Sequence, residues 1–273
     1  MPLTDPSPDP DPAVGGWRAA YGAATHAGRV RELNEDRFLL GPGSGVFAVA
    51  DGMGGHDAGE VASGMVVDSL ATVGAAVTPQ DLRARVEERL LRANAAIHAL
   101  AEQNGKVSGS VVAVLLTFEG HFACLWSGDS RVYHLRGRAI AQLTRDHTEV
   151  QHLLDNGLLT EEEARVWPRR NVITQAIGVR PEPELAFLNG VIAPGDAFVV
   201  CSDGLTAHAE ADDILRLADG QAPQAACDAL VALALERGGQ DNVTVVVVRF
   251  DSDTSPEPGS RAADAVEPPE GRV

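Results

Sequence analysis

Residues 46–56 read VFAVADGMGGH, an unbroken apolar run followed by an aspartate, three glycines and a histidine. A short, continuous apolar run of this kind predicts a fully buried strand, and Asp51 then stands at the end of that strand. Glycine carries no side chain, so the glycines at 52, 54 and 55 would let the backbone come close to a ligand. This stretch therefore predicts a buried strand that ends at a binding site.

Three more aspartates stand at the ends of predicted strands. Asp129 follows FACLWSG, Asp203 follows AFVVCS, and Asp241 lies in GGQDN, directly before VTVVVV. A single Asp-Gly at a strand end is usually only a turn, but four such sites suggest that the strand ends converge. Clustered carboxylates repel one another, and hard divalent cations with oxygen ligands remove that repulsion. Two such ions can share an activated water in an in-line displacement.

Two further residues could act on a phosphate beside such ions. His56 lies five residues after Asp51, and a histidine that titrates near neutrality could protonate a leaving-group oxygen. The alternative for His56 is a structural or solvated loop histidine. Arg31 opens the sequence RELNEDR, which also holds Glu35 and Asp36. Its planar guanidinium matches two phosphate oxygens, and the alternative is a surface ion pair.

Outward from this stretch, the hydrophobic period changes in blocks. Apolar residues three and four apart predict helices over residues 58–77, 79–103, 211–218 and 222–237, and the more polar stretch 147–178 is also predicted to be helical. Apolar or β-branched runs predict strands at 46–50, 110–118, 121–126, 131–135, 139–143, 185–191, 197–201 and 243–250. Strand blocks that alternate with helix pairs indicate an α+β fold, with helix pairs covering two packed antiparallel sheets.

Composition narrows the class of protein. The chain has 273 residues, 44% of them hydrophobic, and a formal net charge of −17, which argues against a nucleic-acid partner. No stretch reaches the roughly 18 apolar residues of a membrane span, and the first residues do not resemble a secretory signal. Three cysteines without a close pair fit a reducing compartment. We therefore expect a cytoplasmic protein.

Both ends of the chain are polar and rich in proline. Residues 1–16 and 251–273 hold too little apolar surface to offset the entropy lost on ordering, and we predict that both segments are disordered. Residues 17–250 show neither a linker nor an internal repeat. We therefore predict one continuous domain between the two segments.

Five motifs occur in order along this predicted domain: RxxNED, ADGMGGHDAGEVAS, WSGDSR, CSDGL and GGQDNVTVVVV. They resemble the motif set of the PPM/PP2C family of metal-dependent protein phosphatases, and the resemblance covers residues 17–250. It implies an αββα sandwich that hydrolyses phosphoserine and phosphothreonine with a water activated between two Mg²⁺ or Mn²⁺ ions. It also implies a third, weaker ion, a phosphorylated protein substrate, and a bacterial Ser/Thr kinase whose action the enzyme opposes.

The resemblance implies a role for individual residues of the site. The implied metal ligands are Asp51 bridging both ions, the Gly52 carbonyl on the second ion, Asp203 and Asp241 on the first, and Asp129 on the third. The other implied roles are orientation of metal-bound waters by Glu35 and Asp36, phosphate binding by Arg31, proton donation by His56, and a flap over the site formed by residues 147–178.

Two stretches depart from the pattern of the bacterial family members. Many of them carry Gly-Met-Gly-Thr-Thr where this chain has Val-Ser-Gly-Ser-Val at residues 107–111. The flap of many members contains His-Pro, and here Trp167-Pro168 stands instead. The role of residues 107–111 is therefore an open question at the level of the sequence.

Several other functions are alternatives to a metal-dependent protein phosphatase. A catalytically weak, regulatory binding module could share the fold, but the complete set of aspartates argues against it. A cysteine-dependent phosphatase needs Cys and Arg separated by five residues, whereas six residues separate Cys124 from Arg131. The motif details also resemble phosphatases associated with type VI secretion, and a partner-switching or small-molecule role is less favoured. We expect a monomer.

Overall fold

The computed structural model of this protein describes residues 17–54 and 58–252, which form ten strands and seven helices. The strands are β1 (Trp17–His26), β2 (Asp36–Gly41), β3 (Val46–Gly54), β4 (Ser108–Phe118), β5 (His121–Ser127), β6 (Arg131–Arg136), β7 (Ala139–Gln142), β8 (Ala186–Val191), β9 (Ala197–Cys201) and β10 (Val243–Ser252). The helices are α1 (Ala58–Ala71), α2 (Pro79–Asn104), α3 (Glu149–Asp155), α4 (Glu161–Arg165), α5 (Asp203–Thr206), α6 (Ala211–Ala218) and α7 (Pro223–Glu236).

The strands form two five-stranded antiparallel sheets. Sheet A has the order β1-β10-β9-β6-β7, and sheet B has the order β2-β3-β4-β5-β8. Helices α1 and α2 pack on sheet B, and helices α5, α6 and α7 pack on sheet A. This arrangement confirms the predicted α+β sandwich of two antiparallel sheets flanked by helices.

The central strands are buried on both faces, which explains why their sequences are continuously apolar. In β3, Val46, Ala48 and Ala50 belong to the core beneath α1 and α2, whereas Phe47 and Val49 belong to the core between the sheets. Successive side chains of a strand point to opposite faces. One apolar run therefore supplies two hydrophobic cores and carries Asp51 to the end of the sandwich.

The predicted helix over residues 147–178 is wrong. The stretch holds only the short helices α3 and α4, and no further α-helix is present among the described residues as far as 178. Gly157, with φ +65°, follows α3 directly after its C-cap residue, and Thr160 starts α4 with a capping box. Pro168 then disfavours helical backbone at the residue before it.

Two strands were not expected from the sequence, and one predicted helix is shorter. Strand β1 is rich in alanine and has weak strand propensity, but it pairs with β10 along ten residues, so the sheet rather than local preference defines it. Strand β2 pairs with β3 and was also missed. Helix α1 ends at Ala71, six residues before the predicted boundary at 77.

No helix among residues 17–54 and 58–252 is both long and apolar enough to cross a bilayer. Strand β10 continues to Ser252, two residues beyond the predicted end of the domain at 250. Residues 1–16 and 253–273 lie outside the described part of the chain, so their predicted disorder stays a prediction.

Candidate functional site

The four strand-end aspartates lie together at one end of the sandwich. Asp51 is near the end of β3, Asp129 joins β5 to β6, Asp203 follows β9, and Asp241 precedes β10. The pKa of Asp51 is raised well above its usual value by burial, and then by the negative charges of Asp36 and these other three aspartates. The structure therefore brings all four strand-end aspartates to one place, with Asp36 beside them.

The neighbouring carboxyls are perturbed in the same direction. Burial raises the pKa of Asp36 and of Asp129 to about 7, and that of Asp203 to about 6. Repulsion adds to burial in each case, from Asp203 and Asp241 on Asp36, from Asp203 on Asp129, and from Asp241 on Asp203. Without cations such a cluster retains protons near neutral pH, and bound cations would replace those protons.

Asp36 faces Asp51 across the β2–β3 ladder, since the two residues are register partners. The Ser202 hydroxyl donates to Asp36 Oδ2 at 2.8 Å, and the Thr244 amide donates to that hydroxyl oxygen at 3.0 Å. Asp36 is 1% exposed. Ser202 lies directly after β9, and Thr244 lies in β10, so both belong to the side of sheet A. Asp36 lies in β2 of sheet B, and these hydrogen bonds therefore join the two sheets next to the carboxylate cluster. Neither Ser202 nor Thr244 was identified as a site residue from the sequence.

Arg31 contacts the cluster through Asp241. Its Nη2 lies 2.8 Å from Asp241 Oδ2, and both side chains are about half exposed. The hydrogen bond and the charge of Asp241 raise the pKa of Arg31, and Glu35 and Asp51 act on it in the same direction. Arg31 is therefore beside the carboxylates, as expected, and it is paired with one of the predicted ligands.

The described residues, 17–54 and 58–252, contain no group of three or more His, Cys, Asp or Glu side chains arranged to hold a metal ion. Asp241 is paired with Arg31, and Asp36 accepts from Ser202, so these carboxylates are engaged elsewhere. The donor chemistry nevertheless fits hard divalent cations, which bind carboxylate oxygens and waters. Asp36 Oδ1 and Glu35 Oε1 are buried without a hydrogen-bond partner, and cations with their waters would supply what these oxygens lack.

Gly52 follows Asp51 at a point where the backbone is closely packed. Its amide donates to Glu35 O at 3.1 Å, and Ser63 Oγ donates to the same carbonyl at 2.5 Å. A Cβ at Gly52 would overlap the backbone oxygen of Gly59. Only glycine allows the start of α1 to approach β3 this closely, so the glycine-rich sequence has a structural reason next to the predicted ligand.

Asn242, a residue missed in the sequence, holds the loop that carries Arg31. Its Nδ2 donates to the carbonyls of Ala27 and Leu33 at 2.9 and 2.8 Å, and its Oδ1 accepts from the Glu35 amide at 2.8 Å. Asn242 is buried, so its polar atoms need these partners. Its position directly after Asp241 at the start of a strand was the available signal.

A partly buried ion pair between Arg131 and Asp146 flanks Asp203 and Asp129 and was also missed. Arg131 donates from Nε and Nη2 to both carboxylate oxygens of Asp146 at distances of 2.6–3.1 Å. The charge of Arg131 lowers the pKa of Asp203, while that of Asp146 raises it. The pair joins β6 to the residues that precede α3, and nothing in the local sequence pattern around Asp146 identified it.

His56, the predicted proton donor, lies outside the described residues. Its proposed role stays a prediction. The described chain stops at Gly54, the end of β3, and resumes at Ala58, the start of α1. His56 falls between these two residues in the sequence.

A family model described as protein phosphatase 2C matches residues 25–240. The serine/threonine protein phosphatase PstP of Mycobacterium tuberculosis is 39% identical over 232 residues, which are 83% of this chain and 44% of PstP. This chain therefore spans less than half the length of that relative.

Two solved structures have the same fold. PppA, described as a key regulatory component of T6SS in Pseudomonas aeruginosa, matches with a TM-score of 0.80 and 38% identity, over 87% of this chain and 99% of PppA. The catalytic domain of PstP in complex with two manganese ions matches with a TM-score of 0.78 and 34% identity, over 86% of this chain and 99% of that domain. This chain belongs to the protein phosphatase 2C family.

Proposed function

We propose that this chain is a metal-dependent protein phosphatase that hydrolyses phosphoserine and phosphothreonine. The observation that carries the proposal is the convergence of carboxylates around Asp51, with the Arg31 guanidinium beside them. In this proposal Asp51, Asp203, Asp241 and the Gly52 carbonyl hold two divalent ions. When bound, the ions supply an activated water and stabilise the charge of the reacting phosphate.

The protein's own residues perform the remaining tasks. Arg31 binds two phosphate oxygens with its planar guanidinium group. Its side chain is about half exposed beside the carboxylates, so a phosphate can reach it. Asp36 and Glu35 keep buried oxygens without partners, and these accept hydrogen bonds from waters in the site. Ser202 and Asn242 hold the backbone and carboxylates in register, so that little reorganisation is needed during the reaction.

The alternatives considered from the sequence have less support. Cys124, Cys201 and Cys227 are buried, and burial raises the pKa of each thiol to about 12, which disfavours a thiolate nucleophile. No residue change favours a catalytically weak binding module, since the four aspartates and Arg31 are present. The solved complex of the PstP catalytic domain with two manganese ions supports Mn²⁺ as a candidate ion, and Mg²⁺, which prefers the same oxygen ligands, is the other candidate.

The physiological setting is part of the proposal. We infer a phosphorylated protein as substrate, a Ser/Thr kinase or its targets as partner, a cytoplasmic location and a monomeric chain. Similarity to PppA supports a link to type VI secretion. The net charge of −17 continues to argue against nucleic acid as a partner.

The first test is metal removal. Hydrolysis of p-nitrophenyl phosphate should fall to background after treatment with EDTA and recover on addition of Mn²⁺ or Mg²⁺, because the proposed activation of water depends on the bound ions. Thiol alkylation of the metal-loaded enzyme serves as the control and should have no effect on the rate. Full turnover in the chelator would rule out the proposed function.

The second test concerns the third ion, which we place at Asp129. Asp129 is buried close to Asp203 and Asp146, and fewer fixed carboxylates surround it than surround Asp51, so its ion should bind more weakly. Asp129→Ala should leave two tight ions in calorimetric titrations but slow turnover of a phosphopeptide. Loss of a tight ion would instead place Asp129 in the central pair, and no change in rate would leave it as a turn residue.

A further inference from the structure

The segment predicted to form a flap, residues 147–178, is attached to the rest of the domain at two places. Residues 147–148 and 173–181, here called the flap base, bracket residues 149–172. Thr148 and Ile173 form an antiparallel bridge, and the Thr174 amide donates to the His147 carbonyl at 2.8 Å. The two ends of this segment are therefore hydrogen-bonded to each other, in addition to their contacts with the rest of the domain.

The first attachment is next to Asp129. The His147 amide donates to the Gly128 carbonyl at 2.9 Å, and the Gly128 amide donates to His147 Nδ1 at 3.1 Å. The His147 ring also stacks on Trp126, with ring centroids 6.1 Å apart. This side of the flap base is thus held against the β5–β6 connection that carries Asp129.

The second attachment is at Ser110, in the stretch whose role the sequence left open. The amides and carbonyls of Ser110 and Ile177 exchange two hydrogen bonds of 2.9 Å. The Ser110 hydroxyl lies within donating distance of two backbone carbonyls, that of Asp51 at 3.0 Å and that of Val111 at 2.9 Å. Ser110 is fully buried, so one residue joins the flap base to the backbone of the central carboxylate of the site.

Asn94 fixes the same part of the flap base from the other side. It lies within α2, is 1% exposed, and has no role in the helix itself. Its Nδ2 donates to the carbonyls of Arg180 and Pro181 at 2.9 and 3.0 Å, and its Oδ1 accepts from the Gly178 amide at 2.6 Å. Asparagine lowers helix propensity and is costly to bury without partners, yet its polar atoms here bond only to the flap base.

Gly109 makes the close contact possible. A Cβ at this position would lie 2.8 Å from Val179 Cγ2, 2.9 Å from Ile177 O and 3.0 Å from Met53 Cε. A larger residue would push the flap base away from β3 and β4. Of the stretch 107–111, therefore, Gly109 and Ser110 have a clear structural use, although the surrounding residues differ from those of many family members.

We infer that Asn94 and Ser110 are positioning residues for the phosphatase reaction. Asn94 holds the flap base on α2, and Ser110 joins that base to the backbone of Asp51, so the placement of the flap base and the position of this proposed metal ligand are set together. This inference rests on the proposed function. It predicts that loosening the flap base at Asn94, far along the chain from any metal ligand, weakens metal binding.

The experiment compares Asn94→Ala and Ser110→Ala with the wild-type protein after metal stripping. We expect Mn²⁺ affinity, measured by calorimetry, to fall roughly five- to tenfold in each, as befits the loss of buried hydrogen bonds. The KM for a phosphopeptide should rise by a similar factor in Asn94→Ala, while the KM for p-nitrophenyl phosphate changes little. The double variant should lose less affinity than the product of the single effects, because both changes act on one unit.

Matched controls separate positioning from stability. Ser69→Ala removes a side-chain hydrogen bond to Arg89 O between α1 and α2, and Asn104→Ala changes an exposed asparagine at the end of α2. Both should keep wild-type Mn²⁺ affinity, whatever happens to Tm. Ser110→Thr keeps the hydroxyl and should retain more affinity than Ser110→Ala. If Asn94→Ala does not fold, Asn94→Asp keeps the acceptor for Gly178 and loses both donated hydrogen bonds.

The outcomes are distinguishable. Variants at Asn94 and Ser110 that lower Tm but keep wild-type Mn²⁺ affinity and phosphopeptide KM would overturn the inference and leave these residues as stabilising contacts. A wild-type protein that binds no metal and hydrolyses no phosphate ester would overturn the proposed function instead. Reduced affinity in both variants, with faster hydrogen exchange at the Ser110 and Ile177 amides, is the result we expect.

Discussion

Asp51→Asn should reduce turnover by roughly 10³-fold or more, because one change removes the ligand proposed to serve both ions. The protein should stay folded. Burial and neighbouring carboxylates raise the pKa of Asp51, so its charged form destabilises the metal-free fold. Removing that charge should therefore keep or raise the Tm of the metal-stripped protein, while added Mn²⁺ should no longer raise it. Steady-state kinetics and thermal melts with and without Mn²⁺ measure both effects.

The effect of Asp51→Asn on the stability of the metal-free protein also depends on pH. A carboxyl whose pKa is raised in the folded state contributes stability below its unfolded pKa of about 3.8, and this is lost as the pH rises through the folded pKa. For Asp51 the folded-state pKa is raised by burial and by the neighbouring carboxylates. The stability gain of Asp51→Asn over the wild type, measured without metal, should therefore increase as the pH rises.

Asp68→Asn is the matched control, since Asp68 is exposed on α1. It should keep wild-type turnover and the full rise of Tm with Mn²⁺. An Asp51→Asn protein with more than about a tenth of wild-type turnover would show that Asp51 does not bridge the ions. A large loss of Tm in the metal-free variant would show that the carboxylate stabilises the fold rather than opposing it.

The strand ends could be predicted because they combine two local signals. Val46 to Ala50 form a continuous apolar run, and burial on two faces is the physical cause of such a run. An acidic residue at the end of the run then marks where the strand leaves the core. The same combination identified Asp129, Asp203 and Asp241. The family membership predicted from these motifs is confirmed.

Features that depend on distant partners could not be predicted. Strand β1 exists because ten residues of β10 pair with it, and its alanine-rich sequence shows no alternation that predicts a strand. Asn94 lies in a regular helical pattern, and only the return of residues 178–181 gives it a role. Asp146 is paired with Arg131, fifteen positions earlier, and no pattern in the sequence around either residue indicates this pairing.

The flap region shows a second kind of failure. A polar stretch with scattered apolar residues favours a helix in isolation, but three separate signals interrupt it between 147 and 178. These signals are the left-handed Gly157, the capping box that begins at Thr160, and Pro168. Glycine, the Thr-x-x-Glu pattern and proline are all visible in the sequence, and these helix-end signals favour short, separate helices over one continuous helix here.

Arg31→Ala should lower kcat/KM for a phosphopeptide by about 10²-fold, through a higher KM and a lower kcat, since a guanidinium that binds two phosphate oxygens acts in both the bound and transition states. Mn²⁺ affinity should be unchanged or tighter, because Arg31 is the ion-pair partner of Asp241 in the metal-free site and competes with cations for it. Arg31→Lys keeps the charge but not the fork, so it should give an intermediate kcat/KM.

Arg29→Ala, at an exposed position in the same loop, is the control and should behave as the wild type. Kinetics and calorimetry on all four proteins separate the possibilities. An unchanged kcat/KM in Arg31→Ala would leave Arg31 as a surface charge, and weaker Mn²⁺ binding would mean that the arginine orders the metal ligands rather than the phosphate.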